Sequence, residues 1–252
     1  MKLLHITDLH LQGRADALAD RRLENCVSHL CKNHADAELC LVTGDISEDG
    51  TEAGYITASK KLSRLPCPFY AILGNHDHRE TARIALPNLT WDKNGFCQAI
   101  LETSEYSIIL LDTLDMGKHG GTLCIDRLNW VAEALHSTQN RPVILAMHHA
   151  PFQTGLLGMD DYGLSEGSSR SLAALLSAHG RIRHLFFGHY HRQISGCWQG
   201  IPFSSLPSFS KQCALALSES GQVPMTDGPA CYAVVLLTDT LTVVHSEALP
   251  EP

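Results

Sequence analysis

The sequence is narrowed first by what it lacks. No apolar run approaches the roughly 20 residues that a membrane-spanning helix needs; the longest lies around 233–237. The opening Met1-Lys2-Leu3-Leu4 resembles the start of a secretion signal, but His5 and Asp8 interrupt it before an apolar segment forms, so no leader is expected. A basic excess is missing too. The formal net charge is −8, which argues against a dedicated nucleic-acid binder with a basic face. Nine cysteines, an odd number, include no C-x-x-C pair, and some, such as Cys40 and Cys231, sit in apolar stretches. This fits buried thiols in a reduced, cytoplasmic protein better than a disulfide framework or a thiolate zinc site. Internal repeats, low-complexity stretches and any credible serine or cysteine nucleophile motif are also lacking.

What remains is an ordinary globular composition, 44% apolar and 18% charged over 252 residues, long enough for one domain with a sizeable core. Short apolar runs at 2–6, 39–43, 69–73, 108–112, 143–147 and 184–187 read as buried strands. Amphipathic stretches lie between some of them. Leu23, Val27 and Leu30 share one helical face; Leu128, Val131 and Leu135 share another, with Asp126 as the expected N-cap; a third helix spans about 168–178. The alternation is an α/β pattern. After Trp198 the runs at 201–206, 231–237 and 241–245 have no helix between them and predict a second sheet within the same domain. Three segments, 113–124, 151–167 and 208–229, resist assignment, and 208–229 reads as a loop insertion in a single domain over 1–252.

The chemistry-bearing residues are grouped. Asp8-Leu9-His10, Gly44-Asp45, Gly74-Asn75-His76-Asp77, His148-His149-Ala150-Pro151 and Gly188-His189-Tyr190-His191 each follow a predicted strand. Ligands of open α/β sheets bind beyond the carboxyl ends of the strands, so the five clusters would share one crevice. Asp8 and His10, two apart on an extended strand end, would point the same way, as would His189 and His191. Asp45 has two carboxylate oxygens with which to bridge two cations, and Asn75 offers a neutral oxygen. Imidazole and oxygen donors without a thiolate suit Mn, Fe, Co or Zn better than Ca. The glycines before Asp45, Asn75 and His189 allow sharp turns and close backbone approach.

In this order, D-L-H, G-D, G-N-H-D, H-H-A-P and G-H-Y-H resemble the signature of the calcineurin-like metallophosphoesterases over the first three-quarters of the chain. The resemblance implies a four-layer α-β-β-α sandwich, two mixed β-sheets flanked by helices. It implies two metal ions sharing Asp45, one held with Asp8, His10 and His191, the other with Asn75, His148 and His189. His76 would act on the substrate as hydrogen-bond donor or general acid. Asn75 would also touch substrate, and His149 is read as a substrate contact or a packed neighbour. A hydroxide formed from water between two such cations would attack phosphorus in line.

Protein phosphatases of this superfamily carry G-D-x-x-D-R-G and G-N-H-E. Here 44–50 lacks the arginine and the third motif ends in Asp77, which favours a small phosphodiester. The spacing is most similar to the bacterial cyclic-nucleotide and glycerophosphodiester phosphodiesterases. Many of these are oligomeric, so a homo-oligomer, a dimer or higher, is expected. One departure is Leu206-Pro207-Ser208, where a P-G-T-like turn is usual. A phosphomonoesterase or nucleotide pyrophosphatase of the same superfamily is the alternative, and a non-catalytic metal-binding scaffold a remote one. Among the other residues, His5 reads as packed, His78 as a solvated helix cap and Asp77 as a carboxylate orienting a neighbouring imidazole. Asp160 and Asp161 read as solvated loop residues, and Arg79, Arg170, Arg192 and Lys211 as surface charge.

Overall fold

The computed structural model describes residues 1–138, 141–217, 221 and 223–250. Along the chain run β1 (Lys2–Ile6), α1 (Leu18–Asn33), β2 (Leu39–Thr43), α2 (Glu52–Leu62), β3 (Phe69–Ile72), α3 (Arg79–Ala85), β4 (Ala99–Glu102) and β5 (Ser107–Leu111). Next come α4 (Ile125–Ser137), β6 (Val143–Met147), α5 (Leu157–Asp160), α6 (Glu166–His179) and β7 (Ile182–Phe186). The remainder holds β8 (Ile194–Trp198), β9 (Ile201–Ser205), β10 (Gln212–Cys213), β11 (Met225–Thr226), β12 (Cys231–Leu237) and β13 (Thr242–Ala248).

Two mixed sheets carry the architecture. One has the order β13-β12-β1-β2-β3, the other β4-β5-β6-β7-β9-β8. The strands β1, β2 and β3 are parallel, as are β5, β6, β7 and β9. Parallel strands covered on both faces read as continuous apolar runs, which is why Leu39-Cys40-Leu41-Val42 announces a strand without alternation. Side chains still divide between the faces. Leu4 and Ile6 pack outward with Leu23, Val27 and Tyr55 of α1 and α2. Leu3, Leu41 and Ile72 face inward and meet Ile108, Ile144 and Phe186 of the other sheet. On the far side Leu145, Leu185 and Phe187 pack with Val131 of α4 and Leu172 of α6. The layers are therefore α-β-β-α, as expected.

The runs at 201–206, 231–237 and 241–245 do not form a sheet of their own, contrary to expectation, and among the described residues only the short β10 and β11 pair apart from the two large sheets. β12 and β13 extend the first sheet antiparallel from β1, and β8 and β9 extend the second from β7. Long-range pairing onto an open sheet edge satisfies both sets of backbone groups, and local sequence carries no mark of it. The helix after 124 begins one residue before Asp126, with Cys124 at the cap position. β4 is too short at four residues to stand out, and the helices α2 and α3 have few apolar positions.

Candidate metal centre

The site begins with a backbone anomaly. Among the described residues, six that are not glycine have positive φ, and five of them are Asp8, His10, Asp45, His189 and His191, at 52°, 47°, 48°, 71° and 46°. The left-handed region costs an ordinary L-residue roughly 1–2 kcal/mol, and such strain gathers where a site demands it. This also corrects the expected geometry. β1 ends at Ile6, so Asp8 and His10 converge through a left-handed turn and not through strand alternation. Close approach then needs a missing Cβ. A methyl on Gly74 would strike the Asp45 carboxylate and the His148 ring, and Gly44 is itself at φ +96° against that ring.

The side chains meet in two groups. In the first, His10 Nε2 lies 2.8 Å from His191 Nε2, 3.5 Å from Asp45 Oδ2, and His191 Nε2 lies 3.5 Å from Asp8 Oδ1. In the second, Asn75 Oδ1 faces His189 Nδ1 at 2.8 Å and His148 Nε2 at 3.2 Å. Asp45 Oδ2 joins them, standing 3.4 Å from His148 Nε2. Its other oxygen accepts the His76 backbone N–H at 2.9 Å.

Backbone carbonyls fix the tautomers. His148 Nδ1 donates to Thr43 O and His191 Nδ1 to Lys211 O, each at 2.8 Å. Glu48 Oε2 lies 2.8 Å from His10 Nδ1. With Nδ1 of His191 donating, its Nε2 turns a lone pair to His10 Nε2, an arrangement that needs a proton or a cation at that point. The buried His189 Nε2 has no partner. The donor set thus fits oxygen- and nitrogen-binding cations. Burial lowers His10, but Glu48, Asp45 and Asp8 outweigh it and raise its pKa to about 8. Burial likewise opposes Asp45 in raising His148, and Asp45 prevails, to about 9. Burial and the neighbouring His10 lower His191 to about 4. Burial with His149 and His148 takes His189 well below its usual value. The Asp45 carboxyl, despite its burial, is held far below the usual carboxylate range by His148, His10 and His76.

Of the surrounding groups, Asp77 departs from its expected role and His149 takes the packed arrangement, one of the two expected for it. Asp77 orients no imidazole. It accepts the backbone N–H groups of Ile46, Ser47 and Gly74 and the Tyr55 hydroxyl, all within 3.1 Å, and so ties the Asp45 turn to the Asn75 turn. His149 is fully buried. Its Nδ1 accepts from Thr113 Oγ1 at 2.8 Å and its Nε2 donates to His119 O at 3.0 Å. Neither nitrogen is left for a substrate, and burial with His148 beside it lowers its pKa to about 3.

Glu48 is the functional candidate that sequence reading passed over. Its carboxylate meets His10 and its carbonyl accepts His76 Nδ1 at 2.7 Å. Its one signal was its place three residues after Asp45. Glu48→Gln is expected to weaken cation binding roughly 10-fold or more, the usual effect of losing a carboxylate behind a ligating histidine. Competition against a chromophoric chelator reads this directly, and wild-type affinity would reduce Glu48 to a bystander.

The profile of the calcineurin-like phosphoesterases matches residues 1–193, a span that holds all five clusters. The chain belongs to this family. A probable cyclic nucleotide phosphodiesterase of Rhodopseudomonas palustris is 33% identical over 252 aligned positions, covering 97% of this chain and 91% of that one. A probable glycerophosphodiester phosphodiesterase of Arcobacter nitrofigilis is 29% identical, covering 91% and 86%. Among solved structures, a dimetal phosphatase from Danio rerio shares the fold with a TM-score of 0.75 at 12% identity, covering 98% and 96%.

Within this calcineurin-like frame the remaining sequence candidates find other duties. Arg79 is no free surface charge. It forms a two-pronged ion pair with the buried Asp112 at 2.8 and 2.9 Å. Arg170 pairs with Glu166 on the surface. Arg192 donates to Cys213 O. Asp160 is not solvated alone but accepts from Thr154, Gly155 and the Tyr190 hydroxyl. His5 packs on Phe186 between the sheets, with burial and His184 lowering its pKa to about 3. His78 caps α3. No described helix is long and apolar enough to cross a membrane.

Proposed function

We propose that this calcineurin-like phosphoesterase hydrolyses a small phosphodiester, a 3′,5′-cyclic nucleotide or a glycerophosphodiester, using two divalent cations drawn from Mn, Fe, Co and Zn. One cation would be held by Asp8, His10, Asp45 and His191, the other by Asp45, Asn75, His148 and His189. The observation that carries this is the Asp45 carboxylate, whose Oδ2 stands 3.5 Å from His10 Nε2 and 3.4 Å from His148 Nε2, between the two groups. Cations held there supply a hydroxide from water near neutral pH and offset charge on the phosphoryl oxygens.

The chain's own residues do the rest. Asn75 turns its oxygen to the imidazoles, so its amide nitrogen remains to donate to a phosphoryl oxygen. His76 has Nδ1 committed to Glu48 O, which leaves Nε2 to hydrogen-bond the leaving oxygen and, when protonated, to deliver its proton there. Asp77 keeps the two turns that carry Asp45 and His76 in register. A diester is favoured over a monoester because the described residues lining the cavity include no lysine or arginine. The second negative charge of a monoester would find no lysine or arginine among them. The names of the two relatives point the same way.

We further take 1–252 as one catalytic domain with 208–229 as a loop insertion, working as a dimer or higher homo-oligomer in the cytoplasm. The unpaired state of all nine cysteines supports the last point. The test is to assay the Mn-supplemented protein on bis(p-nitrophenyl) phosphate and p-nitrophenyl phosphate side by side. Faster cleavage of the diester is expected; faster cleavage of the monoester would overturn the substrate class.

A further inference from the structure

The described parts of the three segments that resist assignment from sequence, 113–124, 151–167 and 208–229, come together at the mouth of the site. Each is fastened there by a residue of one of the histidine motifs. His149 donates to His119 O at 3.0 Å. Tyr190 donates its hydroxyl to Asp160 Oδ1 at 3.0 Å. His191 donates to Lys211 O at 2.8 Å and accepts from Cys213 N at 3.2 Å. The segments also pack on one another. The Tyr162 ring meets His119 edge-on at 5.6 Å, and Gly158 lies so close to Gly221 and Val223 that a Cβ there would collide with both.

Together they wall a cavity of about 520 Å³ whose floor is Asp45, Asn75, His76, His189 and His191. The volume is in the range of small-molecule sites. The wall is mainly apolar: Met159, Tyr162, Val223 and Met225 face the cavity, with Asp161 and His119 as its polar members. Apolar character continues outward. Met116, Leu157, Tyr162, Leu215, Leu217 and Met225 are large apolar side chains left exposed, and all belong to these three segments. Two of them, Tyr162 and Met225, line the cavity itself, and exposed apolar surface in a cavity marks a place where something apolar binds.

We infer that this wall is a subsite for the ester arm of the substrate, and that the arm it takes is a flat, uncharged ring system such as a nucleobase. The inference rests on the phosphodiesterase reading and selects within it. A ring buries its faces against Met159, Tyr162 and Val223, and Asp161 accepts an N–H from its edge. A glycerol arm has no flat face to cover Met159, Tyr162 and Val223, and would leave that apolar surface in water. Tyr162 is then a specificity-determining residue that never touches the reacting phosphorus.

The experiment compares wild type with Tyr162→Ala on 3′,5′-cyclic AMP and on glycerophosphoethanolamine, with Mn present. Tyr162 is 45% exposed, so the truncation spares the core. Loss of one ring-stacking partner should lower kcat/KM for cyclic AMP about 10-fold. That loss should fall mainly on KM, with glycerophosphoethanolamine unchanged within about twofold. Equal losses on both substrates, or none on cyclic AMP, would overturn the subsite. Should wild type cleave neither diester, the phosphodiesterase reading fails by itself. The wall is then judged by equilibrium binding: AMP should bind about 10-fold tighter than glycerol 3-phosphate and lose that margin in Tyr162→Ala. Equal affinities would dismiss it.

Discussion

Asp45→Ala should strip the site of its metal pair and reduce turnover by roughly 10³-fold or more, the scale of the several kcal/mol that such cations contribute to charge stabilisation. The reason is positional. Asp8 and His191 reach one group of donors and Asn75 and His189 the other, whereas Asp45 Oδ2 approaches both. Its other oxygen holds the His76 amide, so the substitution also releases the turn that carries the proposed acid. Metal content by elemental analysis should drop from two ions per chain towards none. Wild-type turnover with both cations retained would sink the bridging assignment.

His76→Ala should separate catalysis from binding. Turnover is expected to fall about 10²-fold, the lower range for loss of a general acid, with metal content unchanged. His76 stands edge-on to His10 at 4.7 Å, and with His10 and Glu48 it forms a group compact enough to hold an ion. Loss of metal in this variant would therefore make His76 a ligand. The split should be sharper with a poor leaving group. An alkyl diester depends on protonation of its leaving oxygen more than bis(p-nitrophenyl) phosphate does, so its rate should suffer more.

Much of this site is legible in the amino-acid order because its donors obey a local rule. Each follows a buried apolar run, and Gly44, Gly74 or Gly188 stands directly before Asp45, Asn75 or His189. The runs themselves are legible because parallel strands covered on both faces are apolar throughout. Pairing partners are not. That 231–237 lies beside β1 depends on contacts more than 200 positions apart, and nothing within either strand specifies the other. Orientation is equally hidden. Asp77 gathers amides from 46, 47 and 74 and a hydroxyl from Tyr55, and only the packing of α2 brings Tyr55 there. His149 turns to Thr113 and His119 because a segment without any pattern of its own passes beneath it. Glu48, an acid in a turn, looks like any solvated residue until His10 is seen beside it.

The left-handed backbone at Asp8, His10, Asp45, His189 and His191 has a consequence for the history of such a chain. These are positions at which glycine would relax the main chain, so this corner has given up stability in return for donors. A descendant freed from catalysis would gain by drifting to glycine or asparagine at these five places, and its fold would become firmer as its chemistry disappeared. The same logic warns the engineer. A search for thermostable variants that ignores turnover would be drawn first to the residues proposed to hold the metals.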